Sequence, residues 1–117
     1  MMDLSTPYKK RLSNKSFVGK RYDLSYMANR PLLISDYDIV QSKLSPGKEL
    51  LILQVFEIST GPAMIWTEGL KLISTIKQAA ERPPYYCKII KNNKGYWCFV
   101  RLTEWEKEQI NKVVTPF

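Results

Sequence analysis

The order of elements between Pro31 and Arg101 constrains the fold of this chain more than any other feature. Leu32–Ser42 alternates imperfectly between apolar and polar residues, Lys48–Ser59 is almost entirely apolar, and Ala63–Trp66 is a short third segment. The turns between these segments contain Pro, which fixes φ, and Gly, which permits a positive φ. We therefore predict three consecutive strands, of which the second is central and buried on most of both faces.

A single helix is predicted between the third strand and a hairpin. Thr67 is a candidate N-cap, and apolar residues then recur at helical spacing up to a Pro-Pro pair, which predicts a helix over about residues 67–82. Tyr85–Lys91 and Tyr96–Arg101 follow as two strands joined by Asn-Asn-Lys-Gly, whose Asn and Gly accept left-handed backbone angles. Thr103 is a candidate cap for a last helix.

Five strands with one helix after the third is the order of an OB barrel. We predict a mainly β protein with a five-stranded OB-fold barrel over residues 31–102 and a C-terminal helix and tail over residues 103–117. Residues 1–30 show no clean helical or strand period, and they hold +5 of the net charge of +7. They are expected to form a basic arm that is irregular or partly disordered.

Four segments of the chain are informative beyond their periodicity. They are DYDIVQSK at residues 36–43, LLILQVF at 50–56, WTEGLKLI at 66–73 and PYYCKIIKNNKGYWCF at 84–99. In these segments the chain resembles small OB-fold single-stranded DNA-binding proteins of phages and mobile elements, over about residues 31–101. Those relatives tend to have Gly-Ser where this chain has Glu68-Gly69, which places a carboxylate near the start of the helix.

Aromatic and basic residues are interleaved along the predicted strands and turns. A protein that binds single-stranded nucleic acid contacts the phosphates with cationic side chains and stacks the bases on aromatic rings. Stacking of one base contributes about 1–3 kcal/mol to the binding free energy. The candidate binding residues are Tyr37, Trp66, Tyr86, Lys88, Trp97 and Arg101 on strands, Lys43, Lys48, Lys91 and Lys94 at turns, and Lys9, Lys10 and Arg11 in the arm. Lys88 and Arg101 are expected to mark a water-facing surface that also displays rings. The alternative is that each ring belongs to the core and each lysine is merely solvated.

Catalysis and metal binding are not supported by the residue types present. Cys87 and Cys98 are expected to be reduced, small core residues that lie opposite each other if the hairpin turn is centred on Asn92–Asn93. Two cysteines without any histidine leave a four-ligand zinc site incomplete. Asp36 and Asp38 share one strand face, but no further acidic cluster completes a divalent-metal site. We predict no metal, no cofactor and no enzymatic activity.

The two ends of the chain carry weaker signals. No segment approaches the roughly 18 apolar residues that span a bilayer, and the N-terminus lacks the apolar stretch of a secretory signal. We therefore expect an intracellular protein with no membrane partner, and the resemblance to phage proteins implies the cytoplasm of a bacterial host. Pro116 and Phe117 resemble the Pro-Phe tip with which bacterial single-stranded DNA-binding proteins recruit replication and repair partners. Lys112 stands where such tips have acidic residues, and packing of Phe117 on the barrel is the alternative.

These features favour a non-catalytic protein that binds single-stranded DNA with little sequence preference, in phage or mobile-element replication or recombination. RNA is an alternative ligand, because stacking on aromatic rings serves both polymers. A different class also fits the sequence, namely a small phage-type interaction protein that binds and inhibits a host protein. Assembly into a homo-oligomer is compatible with either function.

Overall fold

A computed structural model describes residues 15–114, which contain six strands and three helices. The strands are β1 (Lys20–Tyr22), β2 (Leu32–Gln41), β3 (Glu49–Glu57), β4 (Gly61–Thr67), β5 (Tyr85–Lys91) and β6 (Trp97–Arg101), and the helices are α1 (Leu24–Met27), α2 (Leu70–Gln78) and α3 (Glu104–Val114). The mainly β class is confirmed. The prediction of five strands is wrong, because β1 forms within the segment that was expected to be an irregular arm.

All six strands belong to one sheet, in the order β1–β4–β3–β2–β5–β6, which curls into a half-barrel. β2, β3 and β4 form an antiparallel meander, and the first residues of β2 also pair with β5. The β2–β3 register shifts between Ile34 and Asp36, which leaves Ser35 as a bulge. Bulges bend a strand and increase its twist. Before the bulge β2 pairs with both β3 and β5, and after it β2 pairs with β3 alone.

β1 occupies the outer edge of the meander and runs parallel to β4, with Lys20 opposite Ala63 and Tyr22 opposite Ile65. Gly19 precedes this strand with φ of +93°, and any Cβ at this position would clash with the carbonyl oxygen of Pro62. The close approach of the two backbones therefore requires glycine. This approach attaches the N-terminal segment to the sheet.

The core lies between one face of the sheet, called here the inner face, and helices α1 and α2. Met27 of α1 is fully buried, and α2 contributes Leu72, Ile73 and Ile76, whose spacing places them on one side of the helix. Alternate residues of the strands supply the rest of the core. These are Leu32, Ile34, Leu51, Leu53, Val55, Ala63, Ile65, Cys87 and Ile89.

α2 is shorter than the predicted helix over residues 67–82. Thr67 still pairs with Leu51 in the sheet, so its backbone stays extended and Gly69 becomes the N-cap. The Thr67 hydroxyl accepts a hydrogen bond from the Gly69 amide at 3.0 Å, just before the helix. Among residues 15–114, no helix is long and apolar enough to cross a membrane.

α3 covers the opposite face of the β5–β6 hairpin, called here the outer face. Its cap is the predicted one: the Thr103 hydroxyl accepts a hydrogen bond from the Glu106 amide at 3.1 Å, and the Thr103 amide donates one to the Glu106 carboxylate at 2.9 Å. This reciprocal pair is a capping box. Leu102 and Ile110 are buried outside the main core cluster. Ile110 is the buried residue of the last helix.

The β5–β6 hairpin has a longer loop than the sequence predicted. Lys91 pairs with Trp97, which leaves residues 92–96 as the turn. The side-chain oxygen of Asn92 accepts hydrogen bonds from the amides of Lys94, at 2.9 Å, and Tyr96, at 3.0 Å. Because Asn92 satisfies two amides inside the loop, the turn is not centred on the Asn-Asn pair.

This register separates the two cysteines. Cys87 pairs with Arg101 and Cys98 pairs with Ile90, so the prediction that the cysteines lie opposite each other is wrong. Cys87 is a buried core residue, as predicted, and burial raises the pKa of its thiol to about 12. Cys98 is half-buried on the outer face. Both are free thiols.

Candidate nucleic-acid interface

Two grooves flank the connection between β4 and α2, residues 68–69. The tip groove, of about 660 Å³, lies between the start of α2 and the β5–β6 turn and is lined by Leu70, Lys71, Asn92, Asn93, Lys94 and Tyr96. The loop groove, of about 610 Å³, lies between β1 and the β2–β3 loop, residues 42–48, and its lining includes Arg21, Lys43, Leu44, Leu50, Trp66 and Glu68. Glu68 lines one groove and Leu70 the other, so the two grooves are neighbours.

The tip groove combines an exposed ring with two ammonium groups. Tyr96 is 61% exposed, and Leu70 across the groove is 77% exposed. Lys71, in the first turn of α2, and Lys94, in the hairpin turn, are both exposed. An exposed ring beside cations offers a stacking surface for a base together with contacts for phosphates.

Trp97 and Lys91 lie next to the tip groove but are engaged with each other. The Lys91 ammonium is 5.0 Å from the centroid of the Trp97 ring. Trp97 is half-buried and packs against the core cluster. The ring therefore forms an edge of the core, and Tyr96 presents the freer aromatic surface.

The wall of the loop groove is held in place by Glu68. Its carboxylate accepts hydrogen bonds from the hydroxyl of Ser42 and, at 3.1 Å, from that of Ser45. The bond from Ser42 holds the pKa of Glu68 below its ordinary value. The carboxylate that distinguishes this chain from the relatives it resembles thus fastens the β2–β3 loop to the start of α2.

Trp66 lies on β4 and is half-buried beside the loop groove. The guanidinium carbon of Arg21 is 4.4 Å from the centroid of its ring. Its indole nitrogen is buried and has no hydrogen-bond partner within residues 15–114. Trp66 therefore combines a ring face covered by a cation with an unsatisfied donor.

Tyr86 and Lys88 face α3. The Tyr86 hydroxyl donates a hydrogen bond to the side-chain oxygen of Asn111 at 2.6 Å, and the Lys88 ammonium lies 2.6 Å from the Glu106 carboxylate. Lys88 pairs with Val100 and Arg101 with Cys87, so Lys88 and Arg101 point to opposite faces of the sheet. The expectation that these two cations mark one water-facing surface is wrong.

The remaining predicted strand and loop residues are dispersed. Tyr37 is half-buried against the core, with the Lys15 ammonium 5.5 Å from its ring centroid. Lys48 is exposed at the end of the β2–β3 loop, and Arg101 is exposed at the end of β6. Asp36, considered above as a metal ligand, forms an ion pair with Lys15 at 2.8 Å.

Five predicted residues, Lys9, Lys10, Arg11, Pro116 and Phe117, lie outside the described residues. Within the described range, the structure adds Arg21, Lys71 and Tyr96 to the candidate site. The sequence contained a signal for Tyr96, since it directly follows the Gly of the predicted turn. It contained none for Arg21, because β1 is too short to show a period.

Comparisons of the chain with protein-family models, with curated proteins and with solved structures find no match.

Proposed function

We propose that this protein binds single-stranded DNA, without catalysis and with little sequence preference, along a track from the tip groove to the loop groove. The observation that carries the proposal is the position of the exposed Tyr96 ring beside Lys71 and Lys94. A base stacks on the ring, and the two ammonium groups contact the flanking phosphates. Stacking accepts every base, because each base has a π face.

The cations of the two grooves continue this track. Arg21 and Lys43 line the loop groove, and Lys91 lies at the edge of the tip groove. Two acids also lie along the track. Asp23 lines the loop groove, and Glu68, between the two grooves, has its carboxylate directed to the serines of the loop. Neutralising phosphates with these cations releases counterions from the strand, so the affinity falls as salt rises.

The proposed fold is an OB-type barrel with an added edge strand. Three observations support it: the β2–β3–β4 meander, the helix that follows it, and the β5–β6 hairpin whose first strand pairs back onto β2. The sheet differs from a five-stranded OB barrel by β1, which pairs in parallel with the edge of β4 that β3 does not occupy. The proposed ligand track runs past β1, because Arg21 belongs to that strand.

The biological setting proposed is phage or mobile-element replication or recombination in the bacterial cytoplasm. Lys9, Lys10 and Arg11 add electrostatic grip on the strand in this proposal, since phosphate contacts need no sequence information. Pro116 and Phe117 are the candidate contact for a replication or repair protein. RNA is the alternative polymer, and oligomer assembly on the strand is compatible with the site.

A second candidate function is binding and inhibition of a host protein. The observation that favours it is the exposure of two leucines, Leu44 at 94% and Leu70 at 77%, on the same end of the molecule. Apolar anchors of this kind are used in protein interfaces, where their burial releases few ions. The two functions therefore differ in how binding responds to salt.

The proposal is tested by fluorescence anisotropy with labelled oligo-dT, with duplex DNA of the same length and with single-stranded RNA. We expect oligo-dT to bind more tightly than the duplex, with an affinity that falls steeply as salt rises. Equal affinity for the duplex and the single strand would contradict the proposal, because it would mean that the protein is attracted only to the charge of the phosphates. An absence of binding at low salt would contradict the proposal and favour the host-protein partner.

A further inference from the structure

The two walls of the tip groove each carry one large exposed side chain. Leu70 is the first residue of α2, and Tyr96 is the last residue of the β5–β6 turn. Both side chains are mostly exposed, and both line the groove. An aliphatic side chain on one wall and a ring on the other can hold a flat group between them.

Leu70 has no part in the core of the protein. The buried residues of α2 are Leu72, Ile73 and Ile76, and Leu70 does not belong to the core cluster of the described residues. Packing of the helix on the sheet therefore does not require a leucine at this position. Its side chain is available to a ligand in the groove.

The charge of the groove favours a nucleotide over an apolar segment of another protein. Lys71 and Lys94 line the groove, and no carboxylate from residues 15–114 does so. A nucleotide joins a flat base with apolar faces to an anionic phosphate. The tip groove matches both parts, whereas an apolar peptide would leave the two ammonium groups without counter-charges.

The wall that carries Tyr96 is ordered by Asn92. The side-chain oxygen of Asn92 accepts hydrogen bonds from the amides of Lys94 and Tyr96, and the Asn92 amide donates one to the Tyr96 carbonyl at 2.8 Å. A site that is already ordered loses less conformational entropy on binding. The opposite wall is the first turn of a helix, so neither wall has to fold around the ligand.

We propose that the tip groove holds one base between Tyr96 and Leu70, with Leu70 covering the face of the base that Tyr96 does not contact. This inference rests on the proposed function and adds to it. A base covered on both faces is separated from its neighbours in the strand. Separation costs more for adenines, which stack strongly on one another, so the site favours thymine-rich over adenine-rich single strands.

The experiment uses three single variants of the full chain. Leu70→Ala removes the aliphatic wall with a residue that favours helix, and Leu70→Met keeps an adaptable apolar side chain there. Ile58→Ala is the matched control, because Ile58 is an exposed apolar residue of the β3–β4 turn and lines neither groove. Anisotropy titrations with oligo-dT and oligo-dA of equal length are compared with those of the parent protein. Thermal melting verifies that each variant is folded.

We expect the parent protein to bind oligo-dT more tightly than oligo-dA. Leu70→Ala should weaken oligo-dT binding by about three- to tenfold, the order expected for losing the partial burial of a leucine side chain. Oligo-dA binding should weaken less, because the variant no longer requires the base to be separated on that side. Leu70→Met and Ile58→Ala should bind like the parent protein, and the salt dependence should be the same for all four proteins.

A double variant tests whether the two side chains contact the same base. Leu70→Ala should weaken binding less in a Tyr96→Ala background than in the parent protein, since contacts to one group are not independent. Additive losses, or unchanged oligo-dT binding by folded Leu70→Ala, would overturn the inference and leave the proposed function intact. An equal loss on oligo-dT and oligo-dA would also overturn it. A parent protein that binds neither strand would refute both proposals.

Discussion

The ammonium nitrogen of Lys88 lies 2.6 Å from a carboxylate oxygen of Glu106, between β5 and α3. Both side chains are partly buried, and the hydrogen bond from Lys88 lowers the pKa of Glu106. Together with the bond from Tyr86 to Asn111, this ion pair fixes the last helix to the outer face of the hairpin. The pattern of the sequence suggested a ligand contact here, whereas the structure supports a contact within the fold.

Lys88→Met should therefore reduce stability and leave DNA binding intact. The substitution removes the partner of Glu106 and leaves that carboxylate without its ion pair, so we expect a lower melting temperature. Lys94→Met is the matched control, because Lys94 is exposed in the hairpin turn and should lose affinity without loss of stability. Melting curves and oligo-dT titrations of both variants decide the matter. A Lys88 variant that melts normally but binds poorly would contradict the assignment.

The contact between Glu68 and Ser42 predicts a pH dependence. Because the pKa of Glu68 is lowered from 4.5 in the folded protein, its contribution to stability is fully present above 4.5 and is lost as pH falls through the lower folded value. Glu68→Gln should therefore make the melting temperature fall less steeply with acid than in the parent protein. Some loss of stability in acid should remain, because the pKa of Glu106 is also lowered in the folded protein. Melting temperatures of both proteins in a series of acidic buffers measure the difference. Parallel curves for the two proteins would show that the carboxylate does not hold the loop.

Gly19→Ala tests the attachment of β1. Its left-handed backbone, with φ of +93°, costs a non-glycine residue about 1–2 kcal/mol, and the added Cβ would clash with the Pro62 carbonyl. Gly47→Ala is the control, since Gly47 also has a positive φ, of +84°, but nothing lies within 4 Å of the position of its Cβ. Urea unfolding should show the larger loss for Gly19. Equal losses would mean that β1 adjusts without cost.

Substitutions at Tyr96 and at Trp97 should have different effects, the first on DNA binding and the second on stability. Tyr96→Ala removes an exposed ring, so we expect a loss of about 1–3 kcal/mol in affinity for single strands and a nearly unchanged melting temperature. Trp97→Ala removes a ring packed against the core and should destabilise the fold, by up to about 3–5 kcal/mol. Anisotropy and melting are measured for both variants. If Trp97→Ala weakened binding without lowering the melting temperature and Tyr96→Ala did not weaken binding, Trp97 and not Tyr96 would be the stacking residue.

The order of elements from β2 to β6 could be predicted because each strand has its own apolar pattern and each turn its own Pro, Gly or Asn. The N-terminal strand could not. β1 is three residues long, KRY, and it exists only because Gly19 lets the backbone approach β4. Parallel pairing with a distant segment leaves no local pattern, so neither β1 nor the position of Arg21 over Trp66 was visible in the sequence.

The hairpin shows a second limit of the sequence. Its two strands were predicted, but the five-residue turn depends on Asn92 bonding the amides of Lys94 and Tyr96. The observed register of β5 and β6 therefore differs by three residues from the predicted one. A shift by an odd number of residues changes which residues of the two strands share a face of the sheet. The predicted lysines at the turn could be found from sequence alone, whereas the faces of Lys88 and Arg101 required the register.

The central claim, binding of a single strand at the two grooves, is tested most directly by the salt dependence of oligo-dT binding in a Lys71→Gln/Lys94→Gln double variant. Lys77→Gln is the control, because Lys77 lies on α2 in an ion pair with Glu49 and lines neither groove. Each lost phosphate contact lowers the slope of log K against log salt by about 0.7 for single strands. We predict a slope smaller by about 1.4 in the double variant and unchanged in the control. An unchanged slope in the double variant, or an equal decrease in both proteins, would contradict the proposed interface.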